Sequence, residues 1–447
     1  MPDTTSDNRT TGPAAIAGGT GRFTGGPDYR PLNEQSVPAF VAAIESCVAT
    51  LGGQQADWTV REVGDGNLNL VFIVEGPSGG LVVKQALPYV RLVGDSWPLP
   101  LDRSYFEYQA MSVQSRHAPS LLPRLHHFDP GQAAIVMELL SPHIILRKGL
   151  VAGKTYPRLA SAIGTFLAET LFNTSDLAMP AAAKKGLLAD FAHNTELCKI
   201  TEDLVFTDPY RFADLNRWTT PQLDETAAAF RADSAAKIAA QEMKWKFLTA
   251  GEALIHGDLH TGSIMVTEDD TRVIDPEFAF IGPMGFDIGA VIGNLFLAYA
   301  AQAGHETRVG ERDAYRAWLR QTVGAVWREF SNRFQALWSE KAAGDAYVAE
   351  LFDDAGGRAA LRARQSRFMA DLLADSLGFG GAKMIRRILG LAHVEDIESI
   401  GNPDRRAAVE KRALAFGRLI MVERRAFGDI DAVCDAAADL LDGKETS

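Results

Sequence analysis

The order of patterns along the chain predicts an α+β protein, with a small antiparallel sheet first and a larger, mainly helical region after it. Three observations carry this. Between residues 58 and 85, runs dense in β-branched residues alternate with glycine-rich turns. From about residue 156 onward the apolar residues recur at helical spacing. One stretch inside the helical part has a different character: residues 255–278, IHGDLHTGSIMVTEDDTRVIDPEF, hold short apolar strands that run into acidic turns.

Composition narrows the classes. Of 447 residues, 47% are hydrophobic and 23% charged, which suits a globular chain with core enough for two or three substructures. The 57 acidic residues outnumber the 45 basic ones, for a formal charge of -12, which argues against a nucleic-acid or anionic-membrane partner. Three cysteines without close pairing fit a reducing compartment. Residues 1–30, rich in Thr, Gly, Pro and Asp, lack the apolar core of a signal peptide and are expected to be a disordered tail. The most apolar run, 289–301, is too short and glycine-rich to read as a membrane span. The expectation is a cytoplasmic protein with a sheet region over 31–140 and a helical region over 141–447.

The elements follow in order. Residues 37–51 predict an amphipathic helix, with Phe40, Ile44, Val48 and Leu51 on one face. Strands are predicted over 58–63, 69–75 and 80–85. The turn between the first two, Gly64-Asp65-Gly66-Asn67-Leu68-Asn69, allows close backbone approach and can cradle phosphates through its N–H groups; taken alone it is also what any tight hairpin uses. Lys84 stands in an apolar strand, where a charge calls for a partner. By itself it reads more commonly as an edge lysine pointing at solvent. A helix over 103–117 offers Glu107 as a carboxylate for Lys84, and the Trp97 loop between them reads as packing or as a lid. Strands over 123–128 and 133–139 lead through Glu138, Leu139 and Leu140 to a Ser-Pro turn, a connector whose backbone can pair with an adenine edge. Helices are then predicted over 159–172, 223–249, 287–302, 311–338, 358–376, 381–392, 403–425 and 431–441.

The acidic stretch points to chemistry. Phosphoryl transfer from a nucleotide needs carboxylates that hold Mg²⁺ and another that takes the proton of the attacking hydroxyl. Asp258 at one mouth of a two-stranded turn, with Asp275 and Glu277 at the other, supplies both. Either aspartate alone would be an ordinary turn residue.

Together these residues resemble the protein-kinase-like bilobal fold, in its small-molecule branch of choline, aminoglycoside and homoserine kinases. Within that branch the strings GDGNLNLVF, VKQALPYVR, HGDLHTGS, DPEFA and Arg386-Arg387 with GLAH after them are similar to the methylthioribose kinase family. The likeness runs over about 37–427. It implies an ATP- and Mg²⁺-dependent transfer to the 1-hydroxyl of 5-methylthioribose, and a homodimer. Another small alcohol is the alternative acceptor, and a nucleotide-binding protein without catalysis is excluded if Lys84, Asp258 and Asp275 all serve. Carried over residue by residue, Asp258 accepts or orients the proton of the sugar hydroxyl. Asp275 and Glu277 hold Mg²⁺, with Glu277 compensating for Ser263, which stands where the broader superfamily usually has a metal-binding asparagine. Gly66, Asn67, Lys84 and Glu107 serve the nucleotide phosphates, and Glu138, Leu139 and Leu140 the adenine. Arg386 and Arg387 are the arginines expected near the transferred phosphoryl group, one entering the site and the other bracing it, unless the pair sits at a helix end where both can converge. Asp287 is expected to brace the catalytic loop.

Overall fold

The computed structural model of the chain describes residues 22–64, 68–90 and 94–442. It divides into two compact units, one formed by residues 22–105 with His126–Glu138, the other by Phe106–Leu125 and the chain from Leu139 onward. The α+β class holds.

In the first unit, two short helices, α1 (Val37–Ala42) and α2 (Glu45–Leu51), precede strands β1 (Thr59–Glu62), β2 (Asn69–Glu75) and β3 (Gly80–Ala86). The single helix expected over 37–51 is broken because Ile44 takes extended backbone and Glu45 opens a new first turn, where the helix dipole favours an acid. Strands β4 (Tyr89–Val90) and β5 (Gly94–Pro98) pair with each other, so the expected Trp97 loop is part of a small ribbon. Helix α3 (Arg103–Gln114), which belongs to the second unit from Phe106 on, separates this ribbon in sequence from the first unit's β6 (Leu125–Asp129) and β7 (Ala134–Glu138). The sheet runs β1-β2-β3-β7-β6, and each pair in register is antiparallel. Phe72, Val74, Leu81 and Val83 pack with Val37, Val41, Cys47 and Leu51 into its core. Residues 22–33 lie tied to this unit: Asp102 accepts the N–H groups of Arg22, Phe23 and Thr24, and Gln85 accepts from Leu32 and donates to Arg30.

Beyond its part of α3, the second unit holds β8 (Ile144–Ile145) and helices α4 (Leu146–Val151), α5 (Leu159–Asn173), α6 (Ala181–Phe191), α7 (Thr195–Phe206), α8 (Asp224–Ala232) and α9 (Ser234–Thr249). Four short strands come next: β9 (Ala253–Ile255), β10 (Ile264–Val266), β11 (Thr271–Val273) and β12 (Phe280–Gly282). Helices α10 (Met284–His305), α11 (Asp313–Lys341), α12 (Ala355–Leu389), α13 (Glu395–Glu398), α14 (Pro403–Val422) and α15 (Ile430–Leu441) complete it. Helices α6 and α7 were not expected from the sequence. The helix expected over 223–249 is cut at Asp233, whose carboxylate accepts the Ala236 N–H and caps α9.

Helix α10 is apolar enough to cross a membrane by length and composition, yet its most apolar window is wholly buried inside this unit. It packs against α12 through glycines: a Cβ at Gly289 would meet the Ser376 carbonyl oxygen at 2.3 Å, and one at Gly293 the Gly380 carbonyl oxygen at 2.7 Å. That close approach explains why α12 runs unbroken for 35 residues where two helices were expected around Gly378, Gly380 and Gly381. The backbone contact replaces what glycine costs in propensity. Phe206, Phe247, Phe286 and Phe379 pack ring against ring beside the crossing.

Candidate active site

Strands β9 and β12 pair antiparallel, Ile255 opposite Phe280 and Ala253 opposite Gly282, and so close residues 256–279 into one loop. Inside it β10 and β11 form a hairpin, Ile264 opposite Val273. Asp258 therefore leaves β9 and Asp275 leaves β11, rather than standing at the two arms of one turn as the sequence suggests. The two segments are drawn together by backbone. Gly257 takes φ +83°, and a Cβ there would lie 2.1 Å from the Phe278 carbonyl oxygen. His256, fully buried, links them again: its Nδ1 accepts the Asp258 N–H at 3.3 Å, so Nε2 donates to the Ile274 carbonyl at 2.9 Å. Asp287, in the first turn of α10, accepts the N–H groups of His256 at 2.6 Å and Gly257 at 3.0 Å. It braces the loop and has no direct line to the chemistry.

Both oxygens of Asp258 are held. The Lys383 ammonium lies 2.9 Å from Oδ1 and His260 Nε2 lies 3.3 Å from Oδ2. His260 Nδ1 accepts the Gly262 N–H at 2.9 Å, which places the ring proton on Nε2, facing the carboxylate. Burial pushes His260 down to about 4, against the pull of Asp258, so the ring is neutral near pH 7. Burial also pushes the Asp258 carboxyl up, but Lys383, His260 and Arg387 outweigh it and hold the group well below the usual carboxylate range. The Asp258 side chain keeps 22% of its surface exposed, enough for a small hydroxyl to reach it.

Arg386 and Arg387 both lie in the last turn of α12. Their surroundings differ. Arg387 is buried and donates through Nη1 to the Ala392 carbonyl at 3.3 Å. Arg386 is less buried, and its Nε and Nη1 have no hydrogen-bond partner among the described residues. Burial weakens the hold of both guanidinium groups on their protons, at Arg387 with a further contribution from Arg386.

The carboxylates of Asp275 and Glu277 are joined by that of Glu107, with ligand oxygens all within 4.8 Å of one another. Asp275 takes φ 72°, a left-handed backbone rare outside glycine and a mark of functional sites. Asn194 fixes the backbone beyond it by donating to the Glu277 and Ala279 carbonyls, each at 2.9 Å. Three hard oxygen donors so close together suit Mg²⁺. Glu107, which the sequence reading gives to Lys84, stands in this acidic group. Ser263 is buried, and its hydroxyl donates to the Asp258 carbonyl at 3.0 Å, a role in the shape of the loop.

The remaining sequence candidates lie apart from this group in the chain. Lys84 is buried in β3, opposite Val71 of β2 and Ile135 of β7. Glu138 ends β7, and Leu139 and Leu140 follow it where the chain returns to the second unit. Gly66 and Asn67 lie outside the described residues.

Three residues of the site escaped the sequence reading. Lys383 stands three and four positions before Arg386 and Arg387, on the same helix face, a spacing that an eye for i, i+3 and i, i+4 pairs would catch. His260 sits two residues after Asp258. Arg147 has no local signal: its N–H donates to the Thr261 carbonyl at 3.0 Å, its Nη2 to Asn294 Oδ1 at 3.3 Å, and its Nε lies 3.1 Å from Asp396.

Comparison with known proteins gives the family. A model of the phosphotransferase enzyme family (APH) matches residues 59–331. A methylthioribose kinase of Escherichia coli O45:K1 is 47% identical over 410 residues, covering 92% of this chain and 97% of the relative. Methylthioribose kinase 1 of Oryza sativa subsp. japonica is 47% identical over 408 residues, 91% of this chain and 94% of its own. A methylthioribose kinase of Geobacillus thermodenitrificans is 41% identical over 403 residues, 89% and 93%. A solved glucosamine kinase in complex with glucosamine, ADP and inorganic phosphate is a distant likeness, with 14% identity over 86% of each chain and a TM-score of 0.45. With relatives 41–47% identical along about nine-tenths of its length, and the family model matched over residues 59–331, the chain belongs to the methylthioribose kinases of the phosphotransferase enzyme family.

Proposed function

We propose that this protein is an ATP-dependent kinase that phosphorylates the 1-hydroxyl of 5-methylthioribose, giving 5-methylthioribose 1-phosphate and ADP in methionine salvage. The observation that carries the reading is the 47% identity to a methylthioribose kinase over 92% of the chain. The site supports it with an oriented, ionised Asp258.

In the proposed reaction the sugar hydroxyl donates to Asp258 and is aligned by it. Its oxygen attacks the γ-phosphorus, the bond to the ADP oxygen breaks, and the proton passes to the carboxylate. The transition state is loose, so aim and charge count for more than base strength. A carboxylate held well below its usual range is a weak base, and a hemiacetal hydroxyl is more acidic than that of an ordinary alcohol; the pairing is apt. Arg386, with unpartnered N–H groups, is placed to meet charge on the moving phosphoryl group. Asp275 and Glu277, with Glu107 beside them, would hold Mg²⁺, which when bound neutralises phosphate charge. Lys84, Gly66 and Asn67 are proposed for the nucleotide phosphates, and the backbone of Glu138, Leu139 and Leu140 for adenine. A cytoplasmic homodimer belongs to the same proposal, and sedimentation of the purified chain tests the dimer.

A rival acceptor such as choline or an aminoglycoside is cationic. Lys383, Arg386, Arg387 and Arg147 cluster near Asp258 and His260, a field that repels such a substrate. The test is a panel: purified protein with ATP and Mg²⁺ should release ADP with methylthioribose, and not with choline, homoserine or kanamycin. No turnover of methylthioribose overturns the reading.

A further inference from the structure

We propose that Lys383 is a positioning residue for the phosphoryl transfer: its ammonium fixes the Asp258 carboxylate in the orientation and the ionised state that align the attacking hydroxyl. The inference rests on reading the chain as a methylthioribose kinase.

Burial makes Lys383 unusual. Its side chain is 3% exposed, and its neighbours Ala382, Met384 and Ile385 are fully buried. A methionine would fill the same space with no charge to desolvate, and buried ion pairs seldom stabilise more than apolar residues of similar volume. The ammonium is therefore not there for packing. Its contacts are the Asp258 carboxylate at 2.9 Å and the face of the Phe286 ring, 4.4 Å from the centroid. The ring stabilises the cation from one side and leaves its hydrogen-bonding direction to Asp258.

The scaffold under both residues is stiff. Lys383 is carried by α12, whose backbone touches α10 at Gly289 and Gly293, and Phe286 belongs to α10 itself. Asp287 of the same helix ties down the backbone before Asp258. Anchor, ring and carboxylate are thus fixed to one pair of helices, which is what precise placement of a reacting group requires.

The charges facing Asp258 come from few elements. Lys383 touches it, with Arg386 and Arg387 from the same helix turn, and His260 from its own loop is neutral. Arg147 from α4 faces His260 and the two arginines, and Asp287 faces Lys383. Among the described residues, Lys383 is thus the only cation in direct contact with the carboxylate. Without it the carboxylate would keep only the His260 hydrogen bond, turn more freely and take a proton at higher pH.

The test compares Lys383→Met and Lys383→Arg with the wild type, using ATP, Mg²⁺ and methylthioribose. In Lys383→Met, kcat should fall about 100-fold. Both KM values should stay within about threefold, since binding is not what is lost. The acid limb of kcat/KM should move to higher pH by about one unit. Lys383→Arg should regain at least about a tenth of the lost rate, because the charge returns. Because Lys383→Met leaves a buried carboxylate unpaired and risks folding, the pair is also broken in an Asp258→Asn background. There Lys383→Met should change the residual rate by less than about threefold, as expected of residues that act as one. A wild-type rate and an unmoved acid limb in Lys383→Met overturn the proposal, as does an equal loss with and without the Asp258 carboxylate. If the wild type itself turns over no methylthioribose, the functional reading fails and this inference with it; full activity in wild type and Lys383→Met alike sinks the role of Lys383 alone.

Discussion

Gly257 and Phe278 touch so closely that a side chain on the glycine has nowhere to go: its Cβ would stand 2.1 Å from the Phe278 carbonyl oxygen, on a backbone with φ +83°. This contact sets the distance between the segment that carries Asp258 and the one that carries Asp275 and Glu277. In Gly257→Ala the backbone must leave the left-handed region or push the Phe278 carbonyl away, at a cost of about 1–3 kcal/mol. Displacement of a catalytic group by about 1 Å costs about 100-fold in rate. The variant should keep its helical circular dichroism and lose at least that much kcat. A Gly257→Ala enzyme with wild-type kcat would show that the two segments are positioned by something else.

Glu277 tests the acidic group. Its backbone carbonyl is fixed by Asn194, so Glu277→Gln should leave the fold in place while removing one anionic oxygen donor. Loss of even an outer-shell partner lowers metal affinity by about 10- to 100-fold, and loss of a charged ligand costs at least as much. The expected outcome is a Mg²⁺ concentration for half-maximal activity raised by at least about tenfold, with the rate recovering toward wild type at saturating metal. A Mg²⁺ dependence identical to that of the wild type would remove Glu277 from the metal site.

The two arginines should separate on mutation. Arg387 is buried and donates to the Ala392 carbonyl, so Arg387→Gln should lower both activity and thermal stability. Arg386 has two guanidinium nitrogens without partners among the described residues, against one in Arg387, so Arg386→Gln should leave the melting temperature within about 2 °C and lower kcat/KM by about 100-fold or more. Measuring both quantities on both variants decides the division. Equal loss of stability in the two would mean that each braces the helix end.

Much of this was legible in the sequence because it is written locally. The antiparallel strands declare themselves through alternation and glycine turns, and Asp258, Asp275 and Glu277 through short strings that leave few readings. The helices blurred where the deciding contact is distant. Nothing near Gly380 reveals that Gly289 and Gly293 of another helix lie against it and keep α12 whole. Lys383 was hidden for the same reason: its partner Asp258 is 125 residues away, and only the crossing of α10 and α12 brings them together. The pairing of β9 with β12, rather than with the strand next in sequence, is likewise a long-range choice, made between strands of three residues whose local patterns are equivalent.

Glu410 offers a test of stability that is independent of catalysis. It is 1% exposed on α14, and its Oε2 has no hydrogen-bond partner among the described residues. Burial pushes its carboxyl up to about 6, partly offset by a hydrogen bond from Thr219 and by Arg406. An acid whose folded pKa lies above its unfolded value of 4.5 holds its proton more tightly in the native state. Folding stability from this group is therefore intact below about pH 4.5, falls as the pH rises through the window from there to about 6, and stays lower above it. Glutamine keeps the shape and never ionises. Glu410→Gln should thus be more stable than wild type near pH 7.5 by about 1–2 kcal/mol, seen as a melting temperature a few degrees higher. Near pH 5 most of that gain should be gone, because the wild-type carboxyl is then largely protonated. A difference that stays constant between the two pH values would mean that the substitution acts through packing and not through the buried charge.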